Sequence, residues 1–360
     1  MVVPGAGVTP PAAAPATVSA TRPAPWPEPA ALLLEPGRPG PPGAHWDGQG
    51  LHIAVSSTDA QAIELCLFDA SGQVETHRGV LPGCTQDLWH GYLRAVPGSP
   101  LGRPGQLYGL RAHGPRRPDR GQRFNPRKLL VDPYAREIVG QFDASPEHFG
   151  HDGNYPLQPD PRDNAATALK ARVVHDSFDW GDDPPLRTPL ADTVLLEVHV
   201  KGYTKLHPGV PAPLQGTFAG LAQPAVVEHL RQLGITAVSL LPVQHALDEP
   251  RLLAMGLRNY WGYNTLGFFS TSPRLAANPD DIYALLVFGL AVRKCPTKPT
   301  VNQTLYGAFG AGCSAKSPDS LAFPLFVLYA ATGFHLSVNC SPAALIAAAA
   351  MSSQLHVKRL

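Results

Sequence analysis

Acidic residues almost disappear from the tail of this 360-residue chain. Between Ile282 and Leu360 there is no glutamate, one aspartate (Asp319) and six lysines or arginines. Chemistry that needs two cooperating carboxylates is therefore excluded from that tail. Cysteine is scarce too. The five present (Cys66, Cys84, Cys295, Cys313, Cys340) are odd in number and lack paired metal-ligand spacing. That argues against a disulfide framework and for a reducing, cytoplasmic setting. Net charge is only +1 with both signs interspersed, so bulk charge offers nothing to nucleic acid or a membrane surface. A neutral polymer is compatible with that balance. Long apolar runs are also missing: Leu32-Leu-Leu34 is too short for a secretory segment, and Leu321–Val338 is interrupted by Pro324, Gly333 and His335. No membrane partner is expected.

Residues 1–42 are dominated by Pro, Ala and Gly, with Arg22 and Arg38 the only basic residues. The expectation is a disordered leader, because so little apolar surface cannot offset its ordering entropy. From 43 to 140 the pattern changes to short alternating runs. Ile63, Leu65 and Leu67 point one way and Glu64, Cys66 and Phe68 the other, before a turn at Asp69–Gly72. Runs at 51–57, 87–96 and 106–113 have similar length and are separated by Gly- and Pro-containing turns. This spacing predicts an all-β sandwich of immunoglobulin-like type. Residues 141–191 show little periodicity and read as a connector packed across both domains.

Thr193–Val243 predicts a strand–helix–strand unit. Thr193–Val200 and Ile235–Val243 are β-branched, leucine-rich runs of the kind buried on both faces. Between them, Val226, Val227, Leu230 and Leu233 form one helical face, with Pro224 in the first turn and Gly234 at the C-terminal cap. In α/β architectures the chemistry sits at the C-terminal ends of such strands. The loops to inspect are therefore 199–204 and 242–264.

Those loops carry a family resemblance. Glu197-Val-His-Val-Lys-Gly-Tyr-Thr204, Leu240-Leu-Pro-Val243 and Asn259-Tyr-Trp-Gly-Tyr-Asn264 resemble the start of the catalytic barrel in the glycogen-debranching and isoamylase branch of the α-amylase superfamily. Gly43–Gly50, Asp87–Tyr92 and Arg123–Tyr134 resemble the N-terminal module of the same enzymes. The resemblance runs from about Arg38 to about Asp280. It implies a carbohydrate-binding sandwich, then the beginning of a (β/α)8 TIM barrel (192–280), incomplete in this chain. It implies a glycoside hydrolase lineage acting on α-1,6 branch linkages of glycogen or limit dextrin, with no cofactor. Beyond 281 the resemblance stops, and the tail reads as a frameshift, a misread intron or a truncated gene product.

Retaining hydrolysis of a glucosidic bond needs a carboxylate nucleophile and a carboxyl acid/base about 5 Å apart. The resemblance places these after later strands, so no catalytic residue is expected in this chain. Glu197 is assigned a supporting role within the first strand. What remains is the edge of a sugar cleft. Tyr260, Trp261 and Tyr263 can stack on glucose faces, and Asn259 and Asn264 can hydrogen-bond hydroxyls. The resemblance puts Tyr263 beside the scissile bond.

Trp46, Trp89 and Tyr92 offer a possible glucan-stacking surface on the sandwich. Alternation places Trp89 with Leu93 on one face, which favours core packing instead. His148-x-x-His151 has metal-like spacing but no third ligand nearby, so a solvated loop and no metal are expected. The Gly307–Gly312 run has no lysine for a phosphate loop. The partner expected is glycogen or another branched α-glucan. The alternative is a non-catalytic glucan-binding fragment.

Overall fold

The computed structural model describes residues 28–285, except 152, 154, 156, 176, 180–187 and 282, together with 300 and 301. Of the tail, only residues 283–285, 300 and 301 are described; the leader before residue 28 and the glycine run at 307–312 lie outside the described residues.

The N-terminal part is a two-sheet sandwich. Its strands are β1 (Ala30–Ala31), β2 (Gly43–Trp46), β3 (Gly50–Ser56), β4 (Ala62–Phe68), β5 (Glu75–Val80), β6 (Gly83–Thr85), β7 (Leu88–Arg94) and β8 (Leu107–His113). A small hairpin, β9 (Arg116–Arg117) with β10 (Gln122–Arg123), precedes β11 (Ile138–Val139) and β12 (Lys170–Arg172). One sheet has the order β1-β5-β4-β8-β12-β11 and the other β2-β3-β7-β6. The predicted alternation is met. Ile63, Leu65 and Leu67 face Leu51, Ile53 and Leu93 between the sheets, each strand giving one face to the core. The predicted turn at 69–72 closes with Gly72 N–H donating to the Asp69 carbonyl at 3.0 Å, and Gly72 holds a φ of +71°.

Two boundaries differ from the sequence expectation. The segment 28–42 is part of the sandwich. Ala30–Ala31 pairs parallel with His77–Arg78, Leu32 enters the core, and Glu35 exchanges two backbone hydrogen bonds with Tyr92. Two paired residues and one buried leucine suffice here because existing strands supply their partners. The connector also contributes structure: β12 pairs with both β8 and β11. Residues 129 and 168 cover the outward Cys66 and Phe68 of β4, forming a second small core with Leu107.

The motif at 123–134 is explained by this wrapping. Asn125 Nδ2 donates to the carbonyls of Gly150 and Asp160. The buried Lys128 ammonium donates to those of Glu147 (2.6 Å) and Arg162 (2.8 Å). Carbonyls of the connector that lie outside any strand are thereby given donors. Asp132, deep in the core, accepts from Tyr108 Oη and Tyr134 N at 2.8 Å each.

The second part contains β13 (Leu195–Val198), α1 (Val200–Thr204), α2 (Phe218–Leu221), α3 (Pro224–Gln232), β14 (Ala237–Leu240), β15 (Gln244–Ala246), α4 (Pro250–Ala254), β16 (Thr265–Thr271) and β17 (Thr300–Val301). β13, β14 and β17 form a parallel sheet in that order, so the tail adds a strand that the sequence pattern does not mark. Helix α3 matches its prediction, with Pro224 in the first turn and Gly234 left-handed at φ +72°. Val226, Val227 and Leu230 are buried with Val198, Phe218 and Val238. Leu233 is a correction: it lies past the last helical turn and is exposed. The expectation that β13 is buried on both faces also fails. Leu195 and Glu197 are exposed, because among the described residues β13 is an edge strand paired only with β14.

The antiparallel β15–β16 hairpin joins the two parts. Leu247 and Leu266 pack on the sandwich core, and the Phe269 ring stacks on Tyr134 at 5.2 Å. Gly267 permits this approach, since a Cβ there would lie 2.4 Å from Ile138 Cδ1. No helix of the described residues is long and apolar enough to cross a membrane; the run at 321–338 lies outside them.

Candidate functional site: an aromatic loop at the strand ends

Two loops meet at the C-terminal end of β13 and β14. The first begins at His199, which the sequence reading left without a role. Its Nδ1 accepts the Gly202 N–H at 3.0 Å and so caps α1. The ring proton must then sit on Nε2, which donates to the Tyr260 carbonyl at 2.9 Å. The His199 and Tyr260 rings stack at 4.3 Å with an interplanar angle of 4°. Trp261 stands edge-on to both, at 5.7 Å from His199 and 5.2 Å from Tyr260. Offset stacks and perpendicular edges are the favoured aromatic geometries. One hydrogen-bonded histidine thus fixes two aromatic rings of the second loop.

That loop is held open by its polar residues. Asn259 Oδ1 accepts the Gly262 N–H at 2.9 Å, and its Nδ2 donates to Glu249 Oε1 at 2.8 Å. Asp248 accepts the Asn259 N–H at 2.8 Å and Arg274 Nη1 at 2.9 Å. Gly262 adopts φ +80°, and a Cβ there would meet the Pro242 carbonyl at 3.0 Å. The tight turn pushes the flanking side chains outward: Tyr260 is 47% exposed, Trp261 55% and Tyr263 53%. Exposed rings on a braced loop leave faces available to a flat apolar ligand surface.

The predicted residues fare differently. Tyr260, Trp261 and Tyr263 come together on one exposed loop. Asn259 is spent on the turn itself, and Asn264 Nδ2 donates to the Leu247 carbonyl at 3.2 Å, closing the hairpin. Their amides serve the scaffold, because a turn with these exposed rings has few other donors. His199 was missed, although a histidine directly after a strand in the quoted motif was a usable signal.

On the sandwich, Trp46 and Trp89 do not form a shared exposed surface. Both pack on the core. Trp89 Nε1 donates to the Ser57 carbonyl at 3.1 Å, and the Arg103 guanidinium lies over Trp46. The alternation that joined Trp89 to Leu93 decides this. The solvated loop expected at His148 is a further correction. The side chain is 7% exposed, contacts Asp143 Oδ1 at 3.0 Å, and lies against the Phe142 ring. Among the described residues there is no group of three or more His, Cys, Asp or Glu placed to hold a metal.

Residues 41–135 match the family Carbohydrate-binding module 48 (Isoamylase N-terminal domain). The fold is similar to the catalytic module of the multi-modular glycogen-degrading pneumococcal virulence factor SpuA, at 17% identity and a TM-score of 0.53. That match covers 71% of this chain and 36% of the other. It is also similar to the pullulanase from Paenibacillus barengoltzii in complex with maltohexaose and α-cyclodextrin, at 17% identity and a TM-score of 0.50. There it covers 70% of this chain and 36% of that one. The chain thus spans about a third of the length of these solved structures. The module at 41–135 and the shared fold bear out the resemblance to the isoamylase and debranching enzymes that the motifs carry.

Proposed function

We propose that this chain is the glucan-binding N-terminal region of a debranching hydrolase acting on α-1,6 linkages of glycogen or limit dextrin. The parallel strands β13, β14 and β17, with α3 between the first two, are the start of its (β/α)8 barrel. The observation that carries this reading is the braced aromatic loop at the C-terminal ends of those strands, where barrel enzymes keep their sites. The glycogen-degrading and maltohexaose-bound proteins that share the fold support it.

In this reading Tyr263 and Trp261 stack on glucose rings, and the His199–Tyr260 pair holds the loop. The catalytic carboxylates belong to later strands, so the chain binds without cleaving. Its setting is the cytoplasm, consistent with sparse, odd cysteines; Cys66 and Cys84 are both free. The test is maltohexaose binding followed by tryptophan fluorescence, with reducing-sugar release measured on glycogen. Saturable binding weakened by Tyr263→Ala, without sugar release, is expected. Binding unchanged by Tyr263→Ala, or release above a vector-only control, overturns the assignment.

A further inference from the structure

The segment between β1 and β2 crosses the outward face of the sheet β2-β3-β7-β6. Alternation sends Leu51, Ile53 and Leu93 into the core, so His52 and Tyr92, paired across β3 and β7, face outward. His45 pairs with His52 from β2, and His90, two residues before Tyr92, shares the face. Residues 36–42 belong to no strand, yet they press closely on this row. A Cβ on Gly37 would lie 2.7 Å from His52 Cε1 and 2.7 Å from the Gly91 carbonyl oxygen. Beneath that cover His52 is only 7% exposed.

Two histidines tie the segment down, by opposite means. His45 Nε2 donates to the Pro42 carbonyl at 2.9 Å, and a protonated ring donates equally well. His52 Nε2 instead accepts the Arg38 backbone N–H at 2.9 Å, so its proton sits on Nδ1. That Nδ1–H has no partner among the described residues. A second proton can enter only at Nε2, where it would set N–H against N–H and break the bond. The surroundings add to the cost. Burial is the main cause that holds the His52 imidazole below its ordinary 6.5; Arg38, His45 and His90 act in the same direction, and Asp47 opposes them. The Asp47 carboxylate is already engaged by Tyr92 Oη and by the N–H groups of Gln49 and Gly50. Arg94, over the Tyr92 ring, is paired with Glu35.

We propose that His52 is the latch of an acid-sensitive strap: protonation at Nε2 releases residues 36–42 from the sheet, while β1 stays paired with β5. Linkage fixes the direction. With the strap open the imidazole is solvated and takes up a proton near pH 6.5; with it closed, the ring resists protonation. The closed state is therefore fully favoured above pH 6.5 and loses ground as pH falls below it. Upstream, Glu35 exchanges two backbone hydrogen bonds with Tyr92. Downstream, Gly43 opens the ladder of β2 with β3. Neither anchor involves a histidine side chain, so opening is confined to the residues between them.

Amide exchange on the full chain at pH 7.5 and pH 5.0, corrected for the intrinsic rate at each pH, reads the opening at Arg38. Protection there should fall by up to about thirtyfold, the limit for an imidazole of pKa 6.5 that stays neutral while the strap is closed. The β4 amides should stay protected at both values, since the sandwich itself remains folded. His52→Gln keeps an acceptor for the Arg38 N–H but cannot titrate, so its protection should not change with pH. Imidazole NMR of the wild type is a second readout that stands even where His52→Gln fails to fold. The His52 signals should titrate below pH 6.5, in step with the loss of Arg38 protection. Equal protection of Arg38 at the two pH values overturns the proposal. So does an equal fall in His52→Gln, or an opening of the strap while the His52 signals remain those of the neutral ring.

Discussion

Asparagine at position 132 should flatten the pH dependence of the sandwich's stability. Asp132 is 1% exposed, and burial, the dominant cause, pushes its pKa up to about 6 from 3.8, against the pull of the Tyr134 and Tyr108 hydrogen bonds. Below about pH 3.8 both folded and unfolded chains are protonated there, and the group costs nothing. As pH rises the unfolded chain ionises first, so stability is lost until the folded carboxyl also ionises near pH 6. A gap of roughly two units at about 1.36 kcal/mol each amounts to about 3 kcal/mol. Of this, about 2 kcal/mol falls between pH 4.5 and 7.5.

Asparagine keeps one acceptor for Tyr134 N–H, and its amide N–H can donate to Tyr108 Oη, so the shape survives without a titrating charge. Urea unfolding of both proteins, followed by tryptophan fluorescence, gives the difference between them. Other titrating groups cancel in that difference. Wild type should lose about 2 kcal/mol relative to Asp132→Asn between the two pH values. Parallel pH profiles would mean that the carboxyl titrates as it does in water, refuting the buried placement.

Three further outcomes follow from close contacts. Gly267→Ala puts a methyl 2.4 Å from Ile138 Cδ1 and 2.6 Å from Ser270 Oγ. The overpacking should cost about 1–3 kcal/mol and loosen the hairpin from the sandwich, seen as faster proteolysis between residues 173 and 195; an unchanged digestion pattern counts against it. Lys128→Met leaves the Glu147 and Arg162 carbonyls without their donor, at about 1–3 kcal/mol each. Amide exchange should accelerate across 143–165 while β3 and β4 stay protected, and uniform protection would contradict the anchoring role. Gly202→Ala brings a methyl 2.9 Å from Tyr260 Oη, so the His199–Tyr260 stack should open and maltohexaose binding weaken without a comparable loss of stability.

The pattern of what the sequence reveals follows from where partners come from. β3, β4, β7 and β8 each run for seven residues, long enough for alternation to show, and Ile63, Leu65 and Leu67 announce the core face unaided. Strands β1 and β12 have two and three residues. No period can appear over such lengths, and their pairing exists only because β5 and β8 already offer an edge. Lys170 in β12 even argues against a buried strand, yet its ammonium is buried, donating to the Ala168 carbonyl at 2.6 Å and lying over the Phe68 ring.

The candidate site divides along the same line. Three aromatics within four residues of an Asn-x-x-Gly turn are visible as a cluster, whereas the histidine that orders them lies 61 residues upstream. Its role emerges only when β13 and β14 align in parallel and bring the two loops together. The packing of segment 36–38 beside Asp47, His52 and Tyr92 is harder still to read, since that segment is Pro- and Gly-rich and its composition signals disorder. A tight approach needs small residues such as Gly37, and the same small residues erase the hydrophobic signal. Composition measures what a segment can bury on its own; residues 36–38 are held by what others bury around them.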